Sequence, residues 1–106
     1  MAKPPLKTCV LIPAYNEEKH IAAVVREVRE YCPDVVVIDD GSPDDTDRVA
    51  AAAGATVLEH VRNQGKGAAL QTGFDYARAN GYDLALTLDA DGQHAPSDIP
   101  AFLQAY

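Results

Sequence analysis

Four short apolar runs punctuate the chain: Thr8–Ile12 (TCVLI), Val35–Ile38 (VVVI), Ala55–Glu59 (ATVLE) and Leu84–Leu88 (LALTL). Uninterrupted runs of this kind predict strands buried on both faces, the third being the weakest. Pro13 is expected to stop the first strand. Between strands the apolar positions change period. Ile21, Val24, Val25 and Val28 fall at i, i+3, i+4 and i+7, which predicts a helix running to about Tyr31 and ending before Pro33. Asn16 is its expected N-cap, with Glu17 and Glu18 in the first turn. A second helix is expected to start at Ser42 as N-cap, with Pro43 in the first position and Asp45 in a capping-box place, and to stop at Gly54. After the loop Arg62–Gly67, a third helix carries Leu70, Phe74 and Ala77 on its apolar face until Gly81. Pro96 to Tyr106 begins a further helix, and residues 1–7 read as a flexible leader.

Strands alternating with helices predict right-handed crossovers and a parallel sheet, here an α/β, Rossmann-like arrangement with strand order 3-2-1-4. Ligands of such sheets bind beyond the C-terminal strand ends, at the crevice where the order reverses. That crevice falls between strands 1 and 4, and three strand tips near it are polar: Pro13–Glu17, Asp39–Ser42 and Asp89–Asp91.

Asp89 and Asp91 are two apart and point the same way if the chain stays extended through Ala90, which makes a site for a hard divalent cation. Alone, the segment reads more readily as an Asp-Gly turn; the joint placement of three polar tips shifts the balance to a ligand site. Mg²⁺ or Mn²⁺ is the expected ion, with Gln93 as a further ligand. Asp39 and Asp40 should face opposite ways, so only one of them is expected to meet the ligand; a carboxylate here either accepts from a base N–H or ribose hydroxyl or caps the helix after Ser42. Tyr15 is either a ring for stacking a base or a packed tyrosine, and Glu17 either an acceptor for ring N–H groups or a first-turn helix acid. Arg62 and Lys66 flank a loop that either meets phosphate or is simply solvated, and its spacing is not that of a P-loop. His20 and His94 read as surface imidazoles, and His60 gives no signal.

Composition narrows the classes. Sixteen acidic against nine basic residues give a formal charge of −7, which argues against nucleic acid or an anionic membrane as the main partner. No apolar run could cross a bilayer, and the first residues lack a signal-peptide core, so a cytoplasmic location is expected. Cys9 and Cys32 lack metal-site spacing and read as reduced structural thiols.

Taken together, IPAYNE, VVVIDDGSPDDT, RNQGKGAALQTGF and LTLDADGQHAP, in this order, resemble the N-terminal half of a family 2 glycosyltransferase of GT-A fold. The likeness is greatest to polyprenyl-phosphate sugar transferases of the dolichol-phosphate mannose synthase type, and it covers residues 8–106. It implies that Pro13, Tyr15 and Glu17 hold a nucleotide base, that Ile38 and Asp40 complete the pocket, and that Asp89, Ala90 and Asp91 form a metal and diphosphate clamp with Gln93 near the metal. It carries over more weakly to Arg62 and Lys66. The implied reaction moves a sugar from a GDP- or UDP-linked donor to a lipid phosphate or glycan acceptor. The full-length protein is then expected at or near the cytoplasmic face of a membrane.

The family extends further than this chain, so residues 8–106 are expected to be the donor-binding half, without the acceptor half. No carboxylate here is assigned as the catalytic base. The rival expectations are a non-catalytic nucleotide-binding or scaffold module, with an oligomer covering the exposed sheet face, and a nucleotidyltransferase. The latter is disfavoured because Pro13–Glu17 contains no glycine.

Overall fold

In the computed structural model, residues 6–90 are described. Seven elements follow in order: β1 (Thr8–Ala14), α1 (Ile21–Arg29), β2 (Val35–Asp40), α2 (Thr46–Ala53), β3 (Thr56–His60), α3 (Lys66–Ala79) and β4 (Leu84–Thr87). The strands form one parallel sheet of order β3-β2-β1-β4, as the alternation of periods predicts. The further helix expected from Pro96 lies outside the described residues.

The pleat of the two central strands divides the core in two. Val10, Ile12, Val35 and Val37 point to the face covered by α1 and α2, where they meet Ile21, Val25, Val28 and Ala50. Cys9, Leu11, Val36 and Ile38 point to the other face, under α3, and meet Ala69 and Ala77. Such strands must be apolar at every position, which is why they appear in the sequence as unbroken runs. Cys9 and Cys32 are both free and buried. Burial, with the nearby Cys32 and Asp34 and against Lys7, pushes the Cys9 thiol up to about 11, consistent with an inert structural thiol.

Several local expectations are corrected. Pro13 does not stop β1, which runs on to Ala14 with Pro13 opposite Ile38 and Ala14 opposite Asp39. Val10 N–H bonds to Asp34 O, toward β2, so by alternation Pro13 faces the β4 side. There the β1–β4 pairing has already ended at Leu11 and Thr87. The missing N–H falls where no ladder bond is needed.

Asn16 is not the N-cap of α1. It takes a left-handed φ of 59°, which Asn tolerates better than most residues. His20 is the cap residue, without a side-chain capping bond, and no acid lies in the first turn of α1. Ser42 likewise does not start α2, whose N-cap is Asp45. The polar side chains that looked like caps instead stitch two loops together. Asn16 N–H donates to Ser42 Oγ (2.9 Å), Glu17 N–H to Thr46 Oγ1 (2.9 Å), and Asp45 N–H to Glu18 Oε2 (3.0 Å).

The stop at Gly54 holds, with a left-handed φ of 109°. On α3 the buried stripe is Ala69, Gly73 and Ala77. Leu70 is half-buried and Phe74 exposed, so of the expected positions only Ala77 is in the stripe. The close approach explains the choice of small residues: a Cβ on Gly73 would lie 3.0 Å from Ile38 Cδ1 and 3.1 Å from Leu11 Cδ1. β4 is shorter than expected and half-buried rather than buried, because it is an edge strand among the described residues.

Candidate functional site

The crevice at the β1/β4 reversal is a cleft of about 400 Å³, within the usual range for small-ligand pockets. Three strand tips supply its walls: Pro13, Ala14, Tyr15 and Glu17 after β1, Asp40 at the end of β2, and Asp89 and Ala90 after β4. The fourth wall is the loop and first turns of α3, through Asn63, Gly65, Lys66 and Ala69. The structure thus brings together Pro13, Tyr15, Glu17, Asp40, Asp89 and Ala90 from the expected set. Ile38 is fully buried in the core beneath α3 and is not among the lining residues. Asp91 and Gln93 lie outside the described residues.

The pleat decides between the paired acids. Asp39 faces the α1/α2 side, where its Oδ1 accepts Ser42 N–H at 3.0 Å and closes the turn after β2. Asp40 faces the cleft side. Its Oδ1 accepts Gln64 N–H and meets His60 Nδ1, and its Oδ2 accepts Gly65 N–H, each at 2.8 Å. Burial pushes the Asp40 carboxyl up, but the hydrogen bonds from Gln64, His60 and Gly65 outweigh it and hold the group below its ordinary value. Asp40 is therefore an ionised acid whose first task is to hold the loop before α3.

Lys66 is the first residue of α3, and its Nζ sits 2.5 Å from Asp89 Oδ1. This carboxylate already attracts a cation, and a basic group stands ready at the cleft wall. Tyr15 is 49% exposed at the mouth, so its ring is available to a flat ligand. Glu17 Oε2 lies 3.2 Å from His20 Nδ1. Arg62 does not line the cleft, whereas its neighbours Asn63 and Lys66 do.

His60 is the residue that sequence reasoning missed. It sits at the tip of β3 directly opposite Asp40 in the strand register. A usable signal existed: parallel pairing of the second and third runs places an acid and an imidazole at adjacent tips. A separate group of acids, Asp39, Asp47 and Glu59, lies on the opposite side of the sheet edge, with its oxygens within 4.8 Å of one another.

The sheet order, the cleft at its switch point and the acids and lysine around it define a Rossmann-like α/β protein with a ligand site of the strand-tip type. Comparison with known proteins makes this specific. The chain belongs to glycosyl transferase family 2, whose family model matches residues 9–106.

Among curated relatives, it is 37% identical to the polyprenol monophosphomannose synthase of Mycolicibacterium smegmatis, covering 97% of this chain and 42% of that protein. It is 36% identical to the UDP-N-acetylglucosamine–dolichyl-phosphate N-acetylglucosaminyltransferase of Methanococcus voltae, covering 90% and 45%. The chain thus spans less than half the length of these relatives. Among solved structures, it superposes on glucosyl-3-phosphoglycerate synthase from Mycobacterium tuberculosis, crystallised with Mn²⁺, UDP-glucose and phosphoglyceric acid. The TM-score is 0.72 at 31% identity, over 90% of this chain and 37% of that one. These neighbours share the GT-A glycosyltransferase fold. Among the described residues, no helix is long and apolar enough to cross a membrane.

Proposed function

We propose that the cleft is the donor site of a glycosyltransferase that takes a nucleotide-diphosphate sugar and, in the whole protein, passes the sugar to a polyprenyl phosphate or glycan acceptor. One observation carries this reading: Tyr15, Glu17, Asp40, Lys66 and Asp89 line a single cleft at the switch point, although the chain brings them from separate strand tips and a helix start. Tyr15 stacks on the base at the mouth. Glu17 and the remaining acceptor site on Asp40 Oδ2 accept from base or ribose donors, and Pro13 and Ala90 shape the walls.

The residues fit a divalent cation. Asp89 is a hard oxygen donor that already holds an ammonium group in this structure, and Asp91 and Gln93 would complete the set with it for Mg²⁺ or Mn²⁺. When bound, the ion stabilises negative charge on a departing diphosphate. Lys66, at the cleft wall beside Asp89, would be placed to meet the phosphates. The relatives named above support a lipid-phosphate acceptor, which would bring the whole protein to a membrane surface. Residues 8–106 act as the donor half in this reading, and the base for the acceptor belongs to the part of the relatives' length that this chain does not span.

The test is a calorimetric titration with UDP and GDP, each with and without Mn²⁺, on the wild type and on Asp89→Ala. Binding that requires Mn²⁺ and weakens at least tenfold in the variant is expected. Equal affinity with and without the ion, or in the two proteins, would sink the proposal.

A further inference from the structure

We propose that His60 is a positioning residue for the cleft, acting through Asp40 to fix the Gln64–Gly65 backbone and hence the point from which Lys66 enters. The ring lies at the end of β3, its side chain 8% exposed and that of Asp40 6% exposed. Both ring nitrogens have partners: Nδ1 meets Asp40 Oδ1 and Nε2 meets Thr72 Oγ1, each at 2.8 Å. An ionised carboxylate only accepts, so Nδ1 must carry the shared hydrogen. In the neutral ring Nε2 then accepts from the Thr72 hydroxyl, and this network assigns the Nδ1–H tautomer.

The consequence runs outward from this buried contact. Asp40 Oδ1 divides itself between His60 and Gln64 N–H, while Oδ2 takes Gly65 N–H. Gly65, at φ 99°, is the residue from which α3 departs, and Lys66 is the next one, already reaching Asp89. The imidazole thus locks the carboxylate rotamer, the carboxylate locks two successive amides, and those amides aim the first turn of α3. Thr72, further along the same helix, anchors the other side of the ring. A side chain that only filled space between β3 and α3 would not need a donor at Nδ1. The effect on ligand affinity rests on the donor-site reading, whereas the effect on the loop does not.

The pair of variants His60→Asn and His60→Gln separates positioning from packing. The Asn amide falls near the Nδ1 position and keeps a donor toward Asp40; the Gln amide reaches the Nε2 position and loses it. In the intact protein, His60→Gln is expected to speed hydrogen exchange at Gln64 and Gly65 by about tenfold and to weaken UDP or GDP binding with Mn²⁺ by a similar factor, as expected for one lost hydrogen bond. His60→Asn is expected to stay within about threefold of wild type on both readouts. Equal behaviour of the two variants would overturn the proposal.

If wild type binds neither nucleotide, the donor-site reading falls and the exchange comparison alone decides this one. Should His60→Gln not fold, the wild-type ring gives the answer: ¹⁵N spectra of the imidazole must show the Nδ1–H tautomer, and an Nε2–H tautomer rules the contact out.

Discussion

Asp39 and Asp40 are adjacent in sequence, alike in chemistry and almost equally buried, at 5% and 4% exposure, yet they end in different environments. On the α3 side, the hydrogen-bond partners of Asp40 among the described residues are two backbone amides and an imidazole. On the α1/α2 side, Asp39 has one amide, from Ser42, and two further carboxylates beside it, Asp47 and Glu59. The strand's pleat makes this difference, because one step along β2 crosses the sheet. A pair of acids at a strand tip is therefore two separate questions, and only the elements packed on each face answer them.

The largest test of that contrast is Asp40→Ala. It strips acceptors from Gln64 N–H, Gly65 N–H and the His60 ring at once. Breaking a buried, paired carboxylate in this way costs about 3–5 kcal/mol. Urea denaturation should show this loss, and the same variant should no longer bind nucleotide diphosphate. Asp39→Ala, by contrast, removes one acceptor and relieves crowding with two acids, so its cost should stay near ~1 kcal/mol. Equal losses for the two alanine variants would erase the distinction between the faces.

Gly41 tests the hinge between the two sides. It has φ +72°, and an added Cβ would lie 2.5 Å from both Arg62 C and Asn63 N. The obstacle is backbone and cannot swing aside. Gly41→Ala should cost about 2–4 kcal/mol, combining left-handed strain with displacement of the loop, and thermal denaturation would measure it. The displaced loop carries Asn63, Gly65 and Lys66, so ligand affinity should fall with stability.

The pH dependence of stability gives a third, milder test. Asp40 has a folded-state value below its ordinary one. In the window between that lowered value and the ordinary carboxylate range, about pH 4, the unfolded chain binds more protons than the folded one. Stability should therefore rise with pH through this window, be complete above it, and be lost as pH falls through the folded value. Asp40→Asn should lack this component of the acid limb, while Asp39→Asn should retain it. Denaturation curves at successive pH values would show which acid carries it.

The sheet was legible in the sequence because β1 and β2 are buried on both faces, and a β-branched run such as VVVI, too short for a helix, suits little but a central strand. Alternating elements predict the parallel sheet, 3-2-1-4 is one of the doubly wound orders that such a sheet adopts, and the switch-point crevice follows from the order. Helix starts were not legible at Asn16 and Ser42. Both have the right chemistry for caps, but Asn16 N–H and Ser42 Oγ bond each other across 26 positions, and no local window contains that information. Thr46 is similar: a fully buried polar residue whose hydroxyl serves Glu17 in another loop. For His60 the signal lay not in its own run but in the pairing of β2 with β3, whose register sets it opposite Asp40.

The smallest expected effect concerns the crowded side. The Glu59 carboxyl is raised above its ordinary value, first by its hydrogen bond with Asp47, then by the charges of Asp47 and, least, Asp39, while Asp47 is lowered through the same contact. The opposite directions of the two shifts favour Glu59 over Asp47 as the holder of a proton between them. A carboxyl raised in the folded state binds its proton more tightly there than in the unfolded chain, so its contribution favours folding below the ordinary value and fades as pH rises through the folded one. This slope is opposite in sign to that of Asp40, three hydrogen-bond donors having been exchanged for two negative neighbours. Asp47→Asn should bring the Glu59 titration, followed by side-chain carboxyl NMR, back toward the ordinary glutamate range, and Asp39→Asn should move it the same way by less. A Glu59 titration unchanged in Asp47→Asn would mean that the two acids do not share a proton, and the contrast between the faces would then reduce to the donors around Asp40.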